Sequence, residues 1–122
     1  MSADGRLASK RRFERRGRRA EWMAALALVL KGYRIAALRY RTPLGEIDIV
    51  ARKGDLVALV EVKARRELGA GVDAVSASAQ RRIQAAGALF VSRQPDSARL
   101  SWRCDIVVVS PWRWPVHLED AF

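Results

Sequence analysis

Three charged residues interrupt aliphatic sequence in this 122-residue chain: Asp48 in Gly45-Glu46-Ile47-Asp48-Ile49-Val50-Ala51, and Glu61 and Lys63 in Val60-Glu61-Val62-Lys63. Both runs read as β-strands. A carboxylate among strand aliphatics is costly unless a cation or a hydrogen-bonded partner meets it. Phosphodiester hydrolysis is the chemistry that these types suit. It needs charge neutralised at phosphorus, an activated water and a stabilised leaving oxygen. Asp48 and Glu61 offer the hard oxygens that Mg²⁺ or Mn²⁺ takes, with the Val62 carbonyl as a third donor. Lys63 beside such a cation can orient or deprotonate the attacking water, or support phosphate charge. Glu21, the only acid in an apolar helical stretch, completes the outer shell if that helix packs over the strands. The opposing reading is a partly buried structural ion network, and on residue types alone both stand.

Whether these groups meet depends on the elements that carry them. Two strands are expected over Glu46–Arg52 and Leu56–Lys63, joined at Lys53-Gly54-Asp55. With Lys53-Gly54 as a two-residue turn, Arg52 pairs with Asp55 and Asp48 lies opposite Leu59. Glu61 is then the diagonal neighbour of Asp48 on the same face, about 7–8 Å away between backbones. Alternation brings Lys63 to that face too.

The flanking elements follow from propensity and punctuation. Good helix formers dominate from about residue 10 to Lys31, with Met23, Ala24, Ala27 and Leu30 facing one way. Gly17 costs this helix about 1 kcal/mol, so its ordered part is expected after that residue. Lys31-Gly32 is a C-terminal stop. Tyr33 to Arg41 reads as a first strand, closed by a loop containing Pro43 and Gly45. A flexible loop is expected over Arg65 to Gly71. A second helix, capped by Ser76 or Ser78, runs to Val91 with Ile83, Ala86, Leu89 and Phe90 inward. Trp102 to Ser110 reads as a strand apolar on both faces, hence central. The segment from Pro111 to Phe122 is expected to pack on the domain edge. His117 reads as structural, and Trp102, Trp112 and Trp114 as packing residues rather than base-stacking ones. Helix, three strands, helix, strand is an α/β order: a mixed central sheet flanked by helices.

Composition limits the function classes. The length suits one domain, expected over 17–122 behind a basic arm over 1–16. Net charge is +10, and residues 1–19 hold eight Lys or Arg against two acids. Such an arm fits a polyanion partner, because Arg neutralises phosphates and releases counterions. Arg65, Arg66, Arg81 and Arg82, with Arg18 and Arg19, are the expected phosphate contacts, and Gln80 is placed to touch water or phosphate. A single Cys104 leaves no intramolecular disulfide and no cysteine metal cluster. The apolar stretch Met23–Leu30 is too short to span a bilayer, and a reducing cytoplasm is the simplest compartment.

Glu46-Ile47-Asp48 with Val60-Glu61-Val62-Lys63 resembles the PD-(D/E)xK nuclease superfamily, which includes archaeal Holliday junction resolvases and restriction endonucleases. More closely, the chain resembles the YraN-like family from about Gly17 to Phe122. The matching motifs are Gly17-Arg18-Arg19-Ala20-Glu21, Lys31-Gly32-Tyr33-Arg34-Ile35, Gly45-Glu46-Ile47-Asp48 and Val60-Glu61-Val62-Lys63-Ala64-Arg65. Gln80-Arg81-Arg82, Arg103-Cys104-Asp105-Ile106-Val107 and His117-Leu118-Glu119-Asp120-Ala121-Phe122 extend the match. The resemblance implies a restriction-endonuclease-like core with Glu21, Asp48, Glu61 and Lys63 in the catalytic positions. The expected function is that of a Mg²⁺- or Mn²⁺-dependent endonuclease acting on DNA, with branched or damaged structures among the expected substrates and a homodimer among the expected assemblies. Ala79 stands where the family usually has Lys, and Cys104 where it usually has an aromatic residue. Neither departure touches the acidic set. A non-catalytic nucleic-acid-binding module that keeps the fold is the alternative.

Overall fold

A computed structural model describes residues 18–66 and 75–122. The expected basic arm over 1–16, Gly17, and the 67–71 part of the loop after Lys63 lie outside the described residues.

The first helix, α1 (18–30), ends where the sequence says it should. Gly32 adopts φ +94°, a conformation open to glycine, and its N–H reaches the Val29 carbonyl at 3.0 Å. Tyr33 N–H donates to the Leu28 carbonyl at 3.0 Å, completing a double-bonded helix stop. Tyr33 and Leu28 also share one buried cluster, the apolar contact that accompanies this motif.

The face that α1 buries differs from the expected one. Ala20, Ala24, Ala25, Ala27 and Leu28 are buried, whereas Met23 and Leu30 are exposed. Alanines let the helix axis come close to the sheet, and Leu28 supplies the one bulky contact. Full burial of such a side chain stabilises by about 1.5–3 kcal/mol.

Among the described residues, five strands form one sheet in sequential order: β1 (Arg34–Thr42), β2 (Gly45–Lys53), β3 (Leu56–Ala64), β4 (Ser101–Val109) and β5 (Val116–Leu118). All neighbours are antiparallel except β3 and β4. A parallel pair needs a long crossover, and the helix α2 (Ala77–Ser92) lies within it. Ser76 caps α2 by accepting the Ala79 N–H at 3.1 Å. Ile83, Ala86, Gly87 and Phe90 form its buried face.

The two helices define two apolar layers. Ala24, Ala25 and Leu28 of α1 pack with Ile49, Ala51, Ala58, Val60 and Val107. Ile83, Ala86 and Phe90 of α2 pack with Ile47, Val50, Val57, Leu59 and Cys104. The architecture is therefore α/β with a mixed sheet, as expected.

Two expectations are corrected, the hairpin turn and the packing of a tryptophan. The β2–β3 turn is Gly54-Asp55, not Lys53-Gly54, because Lys53 pairs with Leu56 and Val50 with Leu59. The C-terminal segment packs at the edge of the sheet as expected, where β5 pairs with β4 from Ile106 to Val108. Trp112 is fully exposed and does not serve as a packing residue, whereas Trp102 and Trp114 are partly covered. Trp102 lies near the start of β4, and Trp112 and Trp114 in the connection to β5, all outside the two layers.

Candidate functional site

The corrected hairpin register tightens the site. The β2–β3 ladder ends at the pair Ile49–Val60, so Asp48 and Glu61 each lie one residue past the last pair. The register moved by two residues, which preserves the parity between the strands. Ile49 and Val62 pack in the α1 layer and Ile47 and Val50 in the α2 layer, so strict alternation breaks at Asp48, opposite the left-handed Arg39. Here the Asp48 carboxylate enters the ladder: Val62 N–H donates to its Oδ2 at 2.8 Å. Lys63 Nζ lies 3.2 Å from Glu61 Oε1, and both side chains are mostly buried.

Asp48 carries the strongest electrostatic signature in this group. Burial pushes its carboxyl up to about 7, and the charges of Glu61 and Glu21 push the same way. The Val62 hydrogen bond and the Lys63 charge oppose that rise without cancelling it. Four residues named from sequence, one from α1 and three from the hairpin, thus act on one carboxylate.

Glu21 has a partner that the sequence reading did not name. Arg39 Nε donates to Glu21 Oε2 at 2.8 Å. Arg39 stands between the pairs Leu38–Ile49 and Tyr40–Ile47, abreast of Asp48. Its φ is 51°, a left-handed conformation that costs a non-glycine residue about 1–3 kcal/mol. Glu21, Glu46 and Asp48 all raise the guanidinium pKa, Glu21 foremost. An Arg in an apolar strand, counted back from the Pro43-Leu44 turn to lie opposite Asp48, was the available signal. Arg18, Glu21, Trp22, Leu38 and Arg39 line an adjoining cavity of about 300 Å³.

The donor set fits a hard divalent cation only as an open site. Among the described residues, no three acidic, His or Cys side chains gather as a ready cage. Mg²⁺ commonly takes one or two carboxylates and fills its remaining positions with water and substrate oxygens. Asp48 and Glu61 meet that requirement.

The expected phosphate contacts are spread more widely. Arg66, Arg81, Arg82, Arg18 and Arg19 are exposed, and Arg65 is half-buried. Arg65 donates to the Ala64 carbonyl at 2.8 Å. Gln80 turns inward, and its Nε2 donates to the Val75 carbonyl at 3.1 Å.

A second charged cluster has a structural role. Asp105 is fully buried in β4 and receives two 2.7 Å bonds from Arg103, one from His117 Nε2 at 2.7 Å and one from Asp120 N–H at 3.0 Å. Burial raises its carboxyl, but the His117, Arg103 and Asp120 bonds outweigh that and hold it at about 2. Lys31 Nζ sits 2.6 Å from His117 Nδ1, and Arg103 also reaches the Tyr33 hydroxyl at 2.8 Å. His117 thus ties β5 to β4 and to the end of α1.

Comparison with known proteins gives a consistent result. The chain matches the model of the Uncharacterised protein family UPF0102 over residues 20–109. A UPF0102 protein of Chelativorans sp. (strain BNC1) is 62% identical over 122 residues, covering 100% of this chain and 98% of the relative. Another, from Sinorhizobium medicae (strain WSM419), is 65% identical over 108 residues, or 88% of each chain. The UPF0102 protein R00337 of Rhizobium meliloti (strain 1021) is 67% identical over 108 residues, also 88% of each. The matched region includes Glu21, Asp48, Glu61 and Lys63, and the chain belongs to the UPF0102, or YraN-like, family.

Proposed function

We propose that this protein is a metal-dependent nuclease-type domain with a restriction-endonuclease-like core, hydrolysing phosphodiester bonds in DNA. The observation that carries the reading is the state of Asp48. Glu61 and Glu21 have cationic partners at 3.2 and 2.8 Å, whereas Asp48, among the described residues, accepts only a backbone N–H and sits near 7. Such a carboxylate ionises readily once a divalent cation arrives.

Asp48 and Glu61 would hold Mg²⁺ or Mn²⁺, with the Val62 carbonyl as a third donor. When bound, the cation neutralises phosphate charge and lowers the pKa of a coordinated water. The protein's own residues do the rest. Lys63 Nζ lies 3.2 Å from Glu61, where it can orient the attacking water and meet negative charge developing on the phosphoryl oxygens. Arg39 holds Glu21 in place. The exposed Arg66, Arg81 and Arg82 grip the DNA backbone and contribute a salt-sensitive component to affinity.

The test is a cleavage panel of single-stranded, duplex and branched DNA with Mg²⁺ or Mn²⁺. Asp48→Ala and Lys63→Ala should each abolish cleavage while leaving folding and DNA binding near wild type. Wild-type cleavage by either variant removes the site from the mechanism. One observation favours a second reading, a DNA-binding module without catalysis: Glu21 and Glu61 are each already ion-paired. Salt-sensitive DNA binding with no cleavage of any panel member under either metal would select it.

A further inference from the structure

We infer that the cavity between α1 and β1 is a nucleobase subsite, in which Trp22 stacks on an unpaired base of bound DNA. The inference rests on the reading of the Asp48 site as one that acts on DNA, and it names the form of DNA that fits.

Trp22 presents its indole to solvent, 67% exposed, on a helix whose opposite face is buried against the sheet. Leu38 is 41% exposed across the cavity. With Arg18, Glu21 and Arg39 they line an open groove of about 300 Å³, at the small end of ligand pockets, which run from about 300 to 1,000 Å³. That space suits a single ring system. The chemistry of the lining narrows the choice. An aromatic face and an aliphatic wall offer the two sides of a stack. Arg18, one helical turn before Trp22, and Arg39 supply positive charge at the rim.

Glu21 joins this cavity to the acidic site. It lines the cavity, bonds Arg39, and acts electrostatically on Asp48. A nucleotide whose base rests on Trp22 therefore has its phosphates close to the catalytic carboxylates. Arg39 holds its left-handed φ of 51° where the cavity and the site meet, as strained residues do at functional sites. A base within an intact duplex keeps both faces stacked and has none to offer Trp22. Unpaired, flipped or junction nucleotides do.

The test is metal-free binding of the full-length protein to a fluorescein-labelled single strand and to a blunt duplex of equal length. Trp22→Ala should weaken strand binding about tenfold and leave duplex binding unchanged. Trp22→Phe, which keeps a π-face, should retain most of the affinity, whereas Trp22→Leu should behave like Trp22→Ala. Equal losses on strand and duplex, or full affinity in Trp22→Leu, overturn the subsite. So does a wild-type dimer that Trp22→Ala converts to monomer in sedimentation, since Leu26 and Val29 continue the exposed apolar face of α1. A wild type that cleaves DNA while Trp22→Ala binds both probes normally overturns the subsite alone. Selective loss of strand binding in a protein that cleaves nothing supports the subsite and removes the nuclease reading.

Discussion

Replacing Asp48 with Asn should stabilise the fold at alkaline pH while disabling the site. The native Asp48 carboxyl sits near 7, against an ordinary value of 3.8. The native state therefore binds more protons than the unfolded chain between those values, and stability falls as pH rises through that window. At about 1.4 kcal/mol per pH unit, the ionised carboxylate costs the fold roughly 4 kcal/mol above pH 7. Solvent contact at its half-buried position and the like charge of Glu61 in both proteins lower the recoverable part to about 2–4 kcal/mol. Asn keeps an oxygen to accept the Val62 N–H, so the hydrogen bond at 2.8 Å need not be lost. Urea unfolding of wild type and Asp48→Asn at pH 4 and pH 8 measures the difference, with equal m-values as the check on the comparison. The variant's advantage should be near zero at pH 4 and several kcal/mol at pH 8. Mg²⁺ gives a second reading from the same assay. A cation binding only the native state adds about 2.7 kcal/mol at a hundredfold excess over its Kd, and it should do so for wild type alone. The same variant effect at both pH values refutes the electrostatic argument. Equal Mg²⁺ stabilisation of both proteins refutes the cation site.

Asp105→Ala should destabilise by about 3–5 kcal/mol, because it strands the Arg103 guanidinium and His117 without their shared acceptor. A urea midpoint unchanged from wild type would dismiss that account. Because Asp105 is held at about 2, its contribution persists above 3.8 and is lost as pH falls towards 2, so wild type but not the variant should show this acid-induced loss. Gly45→Ala should cost about 1–3 kcal/mol, since its Cβ would lie 2.6 Å from the Arg82 carbonyl oxygen and press β2 away from α2. Thermal unfolding at the wild-type temperature would contradict that close approach.

Much of this arrangement could be read from residue order because the signals were local. Lys31-Gly32 stops α1 through backbone bonds within one turn, and Ser76 caps α2 three residues ahead. The hairpin turn fell on different residues than expected, yet the register moved by two, so Glu61 and Lys63 still act on Asp48. What resisted reading was tertiary. Hydrophobicity ranks Met23 and Leu30 above alanine, but the approach of α1 to the sheet selects the small side chains. β5 has three residues, and its hold depends on His117 reaching Asp105 across the strand pair. The position of Arg39 opposite Asp48 could be counted from the turn, but its left-handed conformation could not, because local propensity disfavours it inside a strand.

That kinked Arg39 has a consequence for the sheet's exposed rim. β1 is a terminal strand and offers its outer row of backbone groups to any passing chain. An unbroken strand there would template edge-to-edge polymerisation. The register shift between Ile35 and Ala37, the left-handed Arg39, and the exposed charges of Arg34 and Arg41 break the row at successive positions. At the other end the short β5 covers β4. The distortion that holds Glu21 in place therefore also guards a half-apolar protein against aggregation.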